Sequence, residues 1–239
     1  MVFTKLKMFV ATALIASFGA FLGPQAATAA TVSVGDVGST VNVGFTCDAG
    51  DPCPDSGNSP LVDLSATAAF TFDSFTDNGV STFADFTVVL SNTSTDGTSR
   101  ITALGFATDP DGSIGSPVDG NADGINWNVG SGFISGFNGI VELCAFATNS
   151  CTSASGGASN GVQAGASDTF GFTLTFAGVI DSFSIDNFAI KVASVENSNG
   201  GSYEFGGDEI PPVPIPAAGF LLIGALGGLV GLRRRRKTA

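Results

Sequence analysis

A run of oxygen-bearing side chains near the middle of the chain has the spacing of a calcium-binding loop. Asp119, Asn121 and Asp123 stand at positions 1, 3 and 5, and a glycine stands at position 6, where such a loop turns sharply. Position 12 is also glycine instead of the bidentate glutamate, so Asp109 or Asp111 would have to supply that carboxylate. We expect an Asx-rich turn here, with calcium as the alternative cofactor.

The four cysteines form two close pairs, Cys47 with Cys53 and Cys144 with Cys151. An even cysteine count predicts disulfides in an exported protein, and four cysteines allow three connectivities. The short separations favour two local loops, because the Asp-Pro and Asn-Ser pairs between the cysteines turn the chain back. A metal site is the alternative, which the absence of histidine disfavours.

Few residues of this sequence are candidates for catalysis. Because the chain has no histidine, Ser/His/Asp and Cys/His catalytic units are excluded. Paired carboxylates can support glycoside hydrolysis, and Glu142 is the only glutamate within a predicted core strand. We expect its side chain to face solvent or to meet Arg100. We therefore predict no catalytic residue and no enzymatic activity.

Two cations and one tryptophan stand out in the central part of the chain. Arg100 and Lys191 are the only basic residues there, and we expect Arg100 to pair with a carboxylate and fix the register of its strand. Trp127, the only tryptophan, lies in a stretch rich in Gly, Asp and Asn. An exposed tryptophan can stack on a sugar ring, so carbohydrate binding is an alternative function.

The central part of the chain is strongly acidic. Seven of the nine basic residues stand near the ends, whereas all 21 acidic residues lie between Asp36 and Glu209, so this part carries 2 − 21 = −19. Such a charge repels nucleic acid and anionic lipid, and we expect neither as a partner. Solubility in a salty medium explains the charge, and divalent-cation binding is the alternative explanation.

Residues 1–30 have the three parts of a signal peptide. Two lysines precede the apolar run 8–22, which a Gly-Pro pair ends. Small residues follow, and Ala-Thr-Ala at 27–29 matches the cleavage pattern of signal peptidase. We expect the mature protein to begin near Ala30 or Thr31.

The C-terminal region combines a Pro-rich motif, an apolar helix and a basic cluster. The motif consists of Val213, Pro214, Ile215, Pro216 and Ala217. Residues 217–232 carry no charge and predict a single transmembrane helix about 24 Å long at ~1.5 Å per residue. That length is short of the roughly 30 Å hydrocarbon core, and arginine side chains bridge the gap. The basic cluster is Arg233, Arg234, Arg235, Arg236 and Lys237. It places the tail in the cytoplasm and everything before Val213 outside.

Residues 213–239 together resemble the PEP-CTERM sorting signal, in the variant whose motif reads close to V-P-L-P-A, with Ile215 in place of the commoner leucine. The resemblance implies recognition by an exosortase, a membrane-embedded transpeptidase-like enzyme of Gram-negative bacteria. The protein would be anchored briefly in the inner membrane and cut near the motif. Its exported part would then pass to the cell envelope or the extracellular matrix, where exopolysaccharide is a further expected partner. The two prolines keep the motif extended for such an enzyme.

Alternating apolar and polar residues predict strands between the two ends. Leu64, Ala66, Ala68, Phe70 and Phe72, for example, recur at period two. Eight to eleven such segments predict an all-β domain over residues 31–196, a β-sandwich of jelly-roll type. We expect residues 31–34 and 41–45 to form a first hairpin, and the Gly/Ser/Pro-rich residues 197–212 to form a flexible linker. Helices are expected only in the signal peptide and the transmembrane segment.

The domain over residues 31–196 is also similar to the cistern family of PEP-CTERM proteins. The similarity rests on residues 99–106 with the Asp-Pro pair at 109–110, on residues 139–146 with Cys144 and Cys151, on the Gly-rich loop after Cys151, and on residues 172–176 and 186–188. It implies no activity and no catalytic residue, because the role of that family is itself undefined. We therefore predict an exported, non-enzymatic surface or matrix protein, with a carbohydrate- or calcium-binding module as the alternative.

Overall fold

The computed structural model describes residues 30–54, 59–119, 125–132, 134, 137–151, 160–195 and 201–210. The first 29 residues of the predicted signal peptide lie outside these ranges, as do the sorting motif, the predicted transmembrane helix and the basic cluster. In the ranges given, no helix is long and apolar enough to cross a membrane.

Twelve β-strands and one short 3-10 helix, Val34–Asp36, account for the regular structure of the described residues. The strands are β1 (Ala30–Ser33), β2 (Thr40–Cys47), β3 (Leu64–Asp77), β4 (Ser81–Asn92), β5 (Arg100–Asp109), β6 (Gly112–Asp119), β7 (Asn128–Ser131), β8 (Leu143–Phe146), β9 (Val162–Gln163), β10 (Ser167–Ala177), β11 (Ser182–Ala193) and β12 (Tyr203–Glu209). The all-β class predicted from the sequence is therefore confirmed for this part of the chain.

The strands pair antiparallel in the order β6-β10-β4-β3-β2-β12-β11-β5-β8-β7, with β1 added to β11 and β9 added to β5. Strand β12 links the two halves of this order, because Tyr203–Gly206 pair with β11 and Gly207–Glu209 pair with β2. The end strands β6 and β7 also lie against each other. The sheet thus curls into a nearly closed, barrel-like shape.

Phenylalanine rings fill the space between the two halves of the sheet. On β3, the residues predicted to alternate are buried from Leu64 to Phe72, and β4 and β10 bury the same alternate positions. Rings of opposite halves meet edge to face, Phe70 with Phe106 at 5.9 Å and Phe72 with Phe183 at 6.3 Å between centroids. Period-two patterning therefore builds one continuous core.

The outer face of β5 and β11 is also covered. Ile134 and Val141, from the segment before β8, pack with Ala103 and Ala189 in a second, smaller cluster. This cover explains why β5 is buried on nearly every residue instead of alternating.

The predicted hairpin of residues 31–34 and 41–45 is wrong in its pairing. Both segments are extended, but β1 pairs with β11, and β2 pairs with β3 and β12. The Asp36 carboxylate accepts hydrogen bonds from the Ser33 hydroxyl at 2.6 Å and the Ser33 amide at 2.7 Å, which closes a tight turn. These bonds, the hydroxyl first, lower the pKa of Asp36 below its usual value. The turn carries the chain from the edge of β11 to β2.

The flexible linker predicted over residues 197–212 is also corrected, because β12 occupies Tyr203–Glu209. Phe205 is fully buried in the core, and Glu204 is buried beside Lys191. The glycine- and serine-rich composition around this strand concealed it. Glu204 and Phe205 become buried only through pairing with the distant strand β11.

Candidate functional site

Both cysteine pairs are joined as local loops, in agreement with the pairing that their spacing favoured. Cys47, the last residue of β2, is bonded to Cys53, with 4.9 Å between their Cα atoms. Cys144 in β8 is bonded to Cys151, with a Cα separation of 6.2 Å. All four side chains are buried, so these bonds are structural cross-links and not exposed redox groups.

The residues proposed for calcium are only partly described. Asp119 is the last residue of β6, where its backbone pairs with Phe170, while Asn121 and Asp123 lie outside the described residues. Among the residues described, no three His, Cys, Asp or Glu side chains are grouped to hold a metal ion. The calcium loop therefore stays a prediction from the sequence.

Trp127 is not an exposed platform for a sugar ring. Its side chain is only 4 % exposed, and its ring is stacked on Phe170 with centroids 4.2 Å apart. Its Nε1 donates a hydrogen bond to the buried Asp168 carboxylate at 2.6 Å. The stretch around Trp127 looked like a loop by composition, but the tryptophan belongs to the core. The interpretation of Trp127 as a carbohydrate contact is therefore wrong.

Arg100 also differs from its prediction. Its guanidinium donates to the Gly161 carbonyl at 3.3 Å and to the Gln163 side-chain oxygen at 3.4 Å, so within the described residues its partners are neutral oxygens. Glu142 does not meet Arg100 there; its carboxylate accepts a long hydrogen bond from the Thr108 amide, at 3.5 Å. Arg100 still supports strand register, because Gln163 is its cross-strand partner in β9.

Among the described residues, Lys191 and not Arg100 forms an ion pair. Lys191 Nζ lies 2.7 Å from a Glu204 carboxylate oxygen, and the two side chains are only 5 % and 6 % exposed. The two residues are direct cross-strand partners on β11 and β12. Sequence analysis missed Glu204 because it stood in the predicted linker. The pair fixes the strand that joins the two halves of the sheet.

A groove opens on the outer face of the sheet half formed by β3, β4, β10 and β6. It encloses about 230 Å³. Gly171 of β10 forms part of its floor, and the exposed Val118 of β6 forms part of its wall. Its polar lining comprises Asp73, Asp85, Thr87, Ser116, Thr169 and Thr173.

The two carboxylates of this groove are held by hydroxyl groups. Asp85 accepts from the Thr173 hydroxyl and from the Ser74 hydroxyl, each at 2.6 Å. Asp73 accepts from the Thr87 hydroxyl at 2.7 Å. Hydroxyls from neighbouring strands therefore orient both carboxylates without neutralising them.

Two β-bulges meet at the groove. In β3 the pairing with β4 shifts between Phe72 and Ser74, which makes Asp73 the extra residue. In β6 the three steps from Gly115 to Val118 lie opposite only two steps of β10, from Thr173 to Gly171. Ser116 lies within this bulge and has a positive φ of 51°. Bulges change the direction in which side chains point, and they are enriched beside functional sites. Sequence analysis missed the groove because period-two patterns do not reveal bulges.

Comparison with known proteins adds no assignment. Scans against protein-family models, characterised proteins and solved structures each gave no match. The functional argument therefore rests on the sequence and on the geometry described above.

Proposed function

We propose that this chain is an exported, non-enzymatic surface or extracellular-matrix protein that an exosortase processes after transient anchoring in the inner membrane. The C-terminal motif, the apolar helix and the basic cluster carry the sorting part of this proposal. The two structural disulfides suit an oxidising compartment outside the cytoplasm. The destination is the cell envelope or the matrix of a Gram-negative bacterium.

One observation supports the proposal most directly: the twelve strands of the described fold all lie between the two expected cuts. Strand β1 begins at Ala30, directly after the Ala-Thr-Ala pattern, and β12 ends at Glu209. Only residues 210–212 separate β12 from the motif. Removal of both ends therefore leaves all twelve strands in place. Three residues span only about 10 Å, so the enzyme would work close to the sheet.

The absence of histidine from the sequence supports a non-enzymatic role. The jelly-roll-type arrangement also belongs to this proposal, as the finer form of the all-β fold. A calcium-binding module remains the alternative, through the oxygen ligands at Asp119, Asn121 and Asp123.

Mass spectrometry of the mature C-terminus in the native producing cells tests the proposal. The expected product ends within or next to residues 213–217. Replacing Pro214 and Pro216 by alanine should leave full-length protein in the inner membrane, because the motif loses the constraint that keeps it extended. The double change Pro211→Ala and Pro212→Ala is the matched control, and it should still be processed. Mature envelope material that retains Arg233–Arg236 would refute the proposal.

A further inference from the structure

We propose that the groove between β3, β4, β10 and β6 binds a glycan that carries free amino groups. The proposal concerns a ligand of the folded domain and does not depend on how the chain is sorted. It rests on the hydrogen-bonding capacity, the charge and the shape of the groove.

Four of the six polar residues that line the groove present only acceptors to a ligand, namely Asp73, Asp85, Thr87 and Thr173. Ionised carboxylates only accept, so Asp73 and Asp85 offer no donor. The Thr87 and Thr173 hydroxyls already give their protons to these carboxylates. Their oxygen lone pairs are what remains for a ligand. A matching ligand must therefore supply several donors, as the hydroxyl and ammonium groups of an amino sugar do.

The negative charge of the domain limits the glycans that can bind to those without acidic groups. The segment between Asp36 and Glu209 has a net charge of −19, so its net field repels an acidic polysaccharide. A protonated amine is attracted by the same field. Hydrogen bonds from an ammonium group to the Asp85 and Asp73 carboxylates are charge-assisted, hence shorter and stronger than those from a neutral hydroxyl.

The shape of the groove suits a small ring that lies against the sheet. Its volume of about 230 Å³ is below the roughly 300–1,000 Å³ of pockets that enclose drug-sized ligands. Gly171 leaves the floor open, and a Cβ there would approach the Phe86 carbonyl oxygen to 3.0 Å. Val118, 61 % exposed, offers an apolar surface for the C–H face of a sugar. Because the groove lies on an open sheet face, neighbouring sugars of a chain can continue past it.

Calorimetric titration of the full-length chain, in a polyoxyethylene detergent that contains no sugar, tests the proposal. The probe is the tetramer of D-glucosamine at low ionic strength and at a pH where its amines are protonated. Two comparison probes separate the sources of binding. The N-acetylated tetramer keeps the sugar but removes the charge, and tetralysine keeps the charge but removes the sugar.

Matched substitutions locate the site. Val118→Arg adds a cationic side chain to the wall of the groove and should abolish binding by repelling the ammonium groups, whereas Val80→Arg adds the same charge at a turn 74 % exposed and should leave it intact. Asp85→Asn should weaken binding by about ten- to a hundredfold through loss of charge-assisted bonds. Asp208→Asn, an exposed aspartate on β12, removes the same charge outside the groove and should have little effect. Melting temperatures of all four variants report whether the fold is kept.

The expected result is binding of the glucosamine tetramer that Val118→Arg and Asp85→Asn impair selectively. Equal binding of the N-acetylated tetramer would overturn the role assigned to the amine. Equal binding of tetralysine, with the same sensitivity to substitution, would make the groove a general cation site. Failure of the glucosamine tetramer to bind, or binding that is indifferent to Val118→Arg, would overturn the site altogether.

Discussion

The buried ion pair of Lys191 and Glu204 makes the most demanding prediction about the stability of the fold. Replacing Glu204 by glutamine keeps the shape of the side chain but leaves a buried ammonium without its counter-charge. The two groups are 2.7 Å apart and at most 6 % exposed, so water cannot substitute for the missing carboxylate. Breaking such a pair costs about 3–5 kcal/mol, which is a large share of the roughly 5–15 kcal/mol that stabilise a typical domain.

This loss should lower the melting temperature by about 6–20 °C, since a domain of this size loses roughly 2–4 °C per kcal/mol. The fluorescence of Trp127 is a suitable probe, because it is the only tryptophan and it is buried against β10, in the other half of the sheet from β11. Glu209→Gln is the matched control. It removes the same charge from the same strand, and Glu209 is only half-buried, so its effect should be within about 1 kcal/mol.

The double variant Lys191→Met with Glu204→Leu distinguishes two quantities. One is the net contribution of the ion pair to the free energy of unfolding, and the other is the loss caused by removing only one partner. Well-packed apolar residues often replace a buried ion pair without loss, or with a gain of about 1–4 kcal/mol. We therefore expect the double variant to be at least as stable as the wild-type protein, although each single change is strongly destabilising. If Glu204→Gln melts no lower than Glu209→Gln, or if the two single effects simply add, the account of this pair is wrong.

Four further predictions follow from other features of the fold. Replacing Cys47 and Cys53 by alanine should cost about 2 kcal/mol, because a short loop constrains the unfolded chain only modestly; a loss below about 0.5 kcal/mol in chemical unfolding would show that this bond does not stabilise the fold. The bonds to Ser33 lower the pKa of Asp36 from 3.8, so its contribution to stability is present above that value and is lost as the pH falls through the folded pKa. The free energy of unfolding, measured between pH 5 and pH 2, should therefore depend less on pH in Asp36→Asn than in the wild-type protein. Identical pH dependence in the two proteins would contradict the assignment. Trp127→Phe should cost about 1–3 kcal/mol, since it leaves the buried Asp168 carboxylate without one donor, and a variant as stable as the wild-type protein would refute that role. Sodium chloride should raise the melting temperature by screening the acidic surface, and calcium chloride at equal ionic strength should do better only if the loop from Asp119 binds the ion.

The sequence predicted the elements that depend on local pattern. Period-two alternation located the long strand β3, because such a strand needs one apolar face whatever its partners are. The close cysteine pairs likewise predicted two local disulfides, because short loops with turn residues bring the sulfur atoms together. Sequence alone also supplies the signal-peptide and sorting-signal predictions, since residues 1–29 and 213–237 lie outside the described residues.

Only the tertiary structure decided what depends on partners distant in the chain. Strand β1 pairs with β11, some 150 residues away, instead of with its neighbour β2. Strand β12 could not be predicted from its linker-like composition. It is a strand because Phe205 is buried in the core and Glu204 forms an ion pair with Lys191. Trp127 became a core residue because Phe170 and Asp168 lie beside it. The local sequence shows which face of a strand is apolar. Burial, register and bulges depend instead on the free energy of packing against segments that are distant in the sequence.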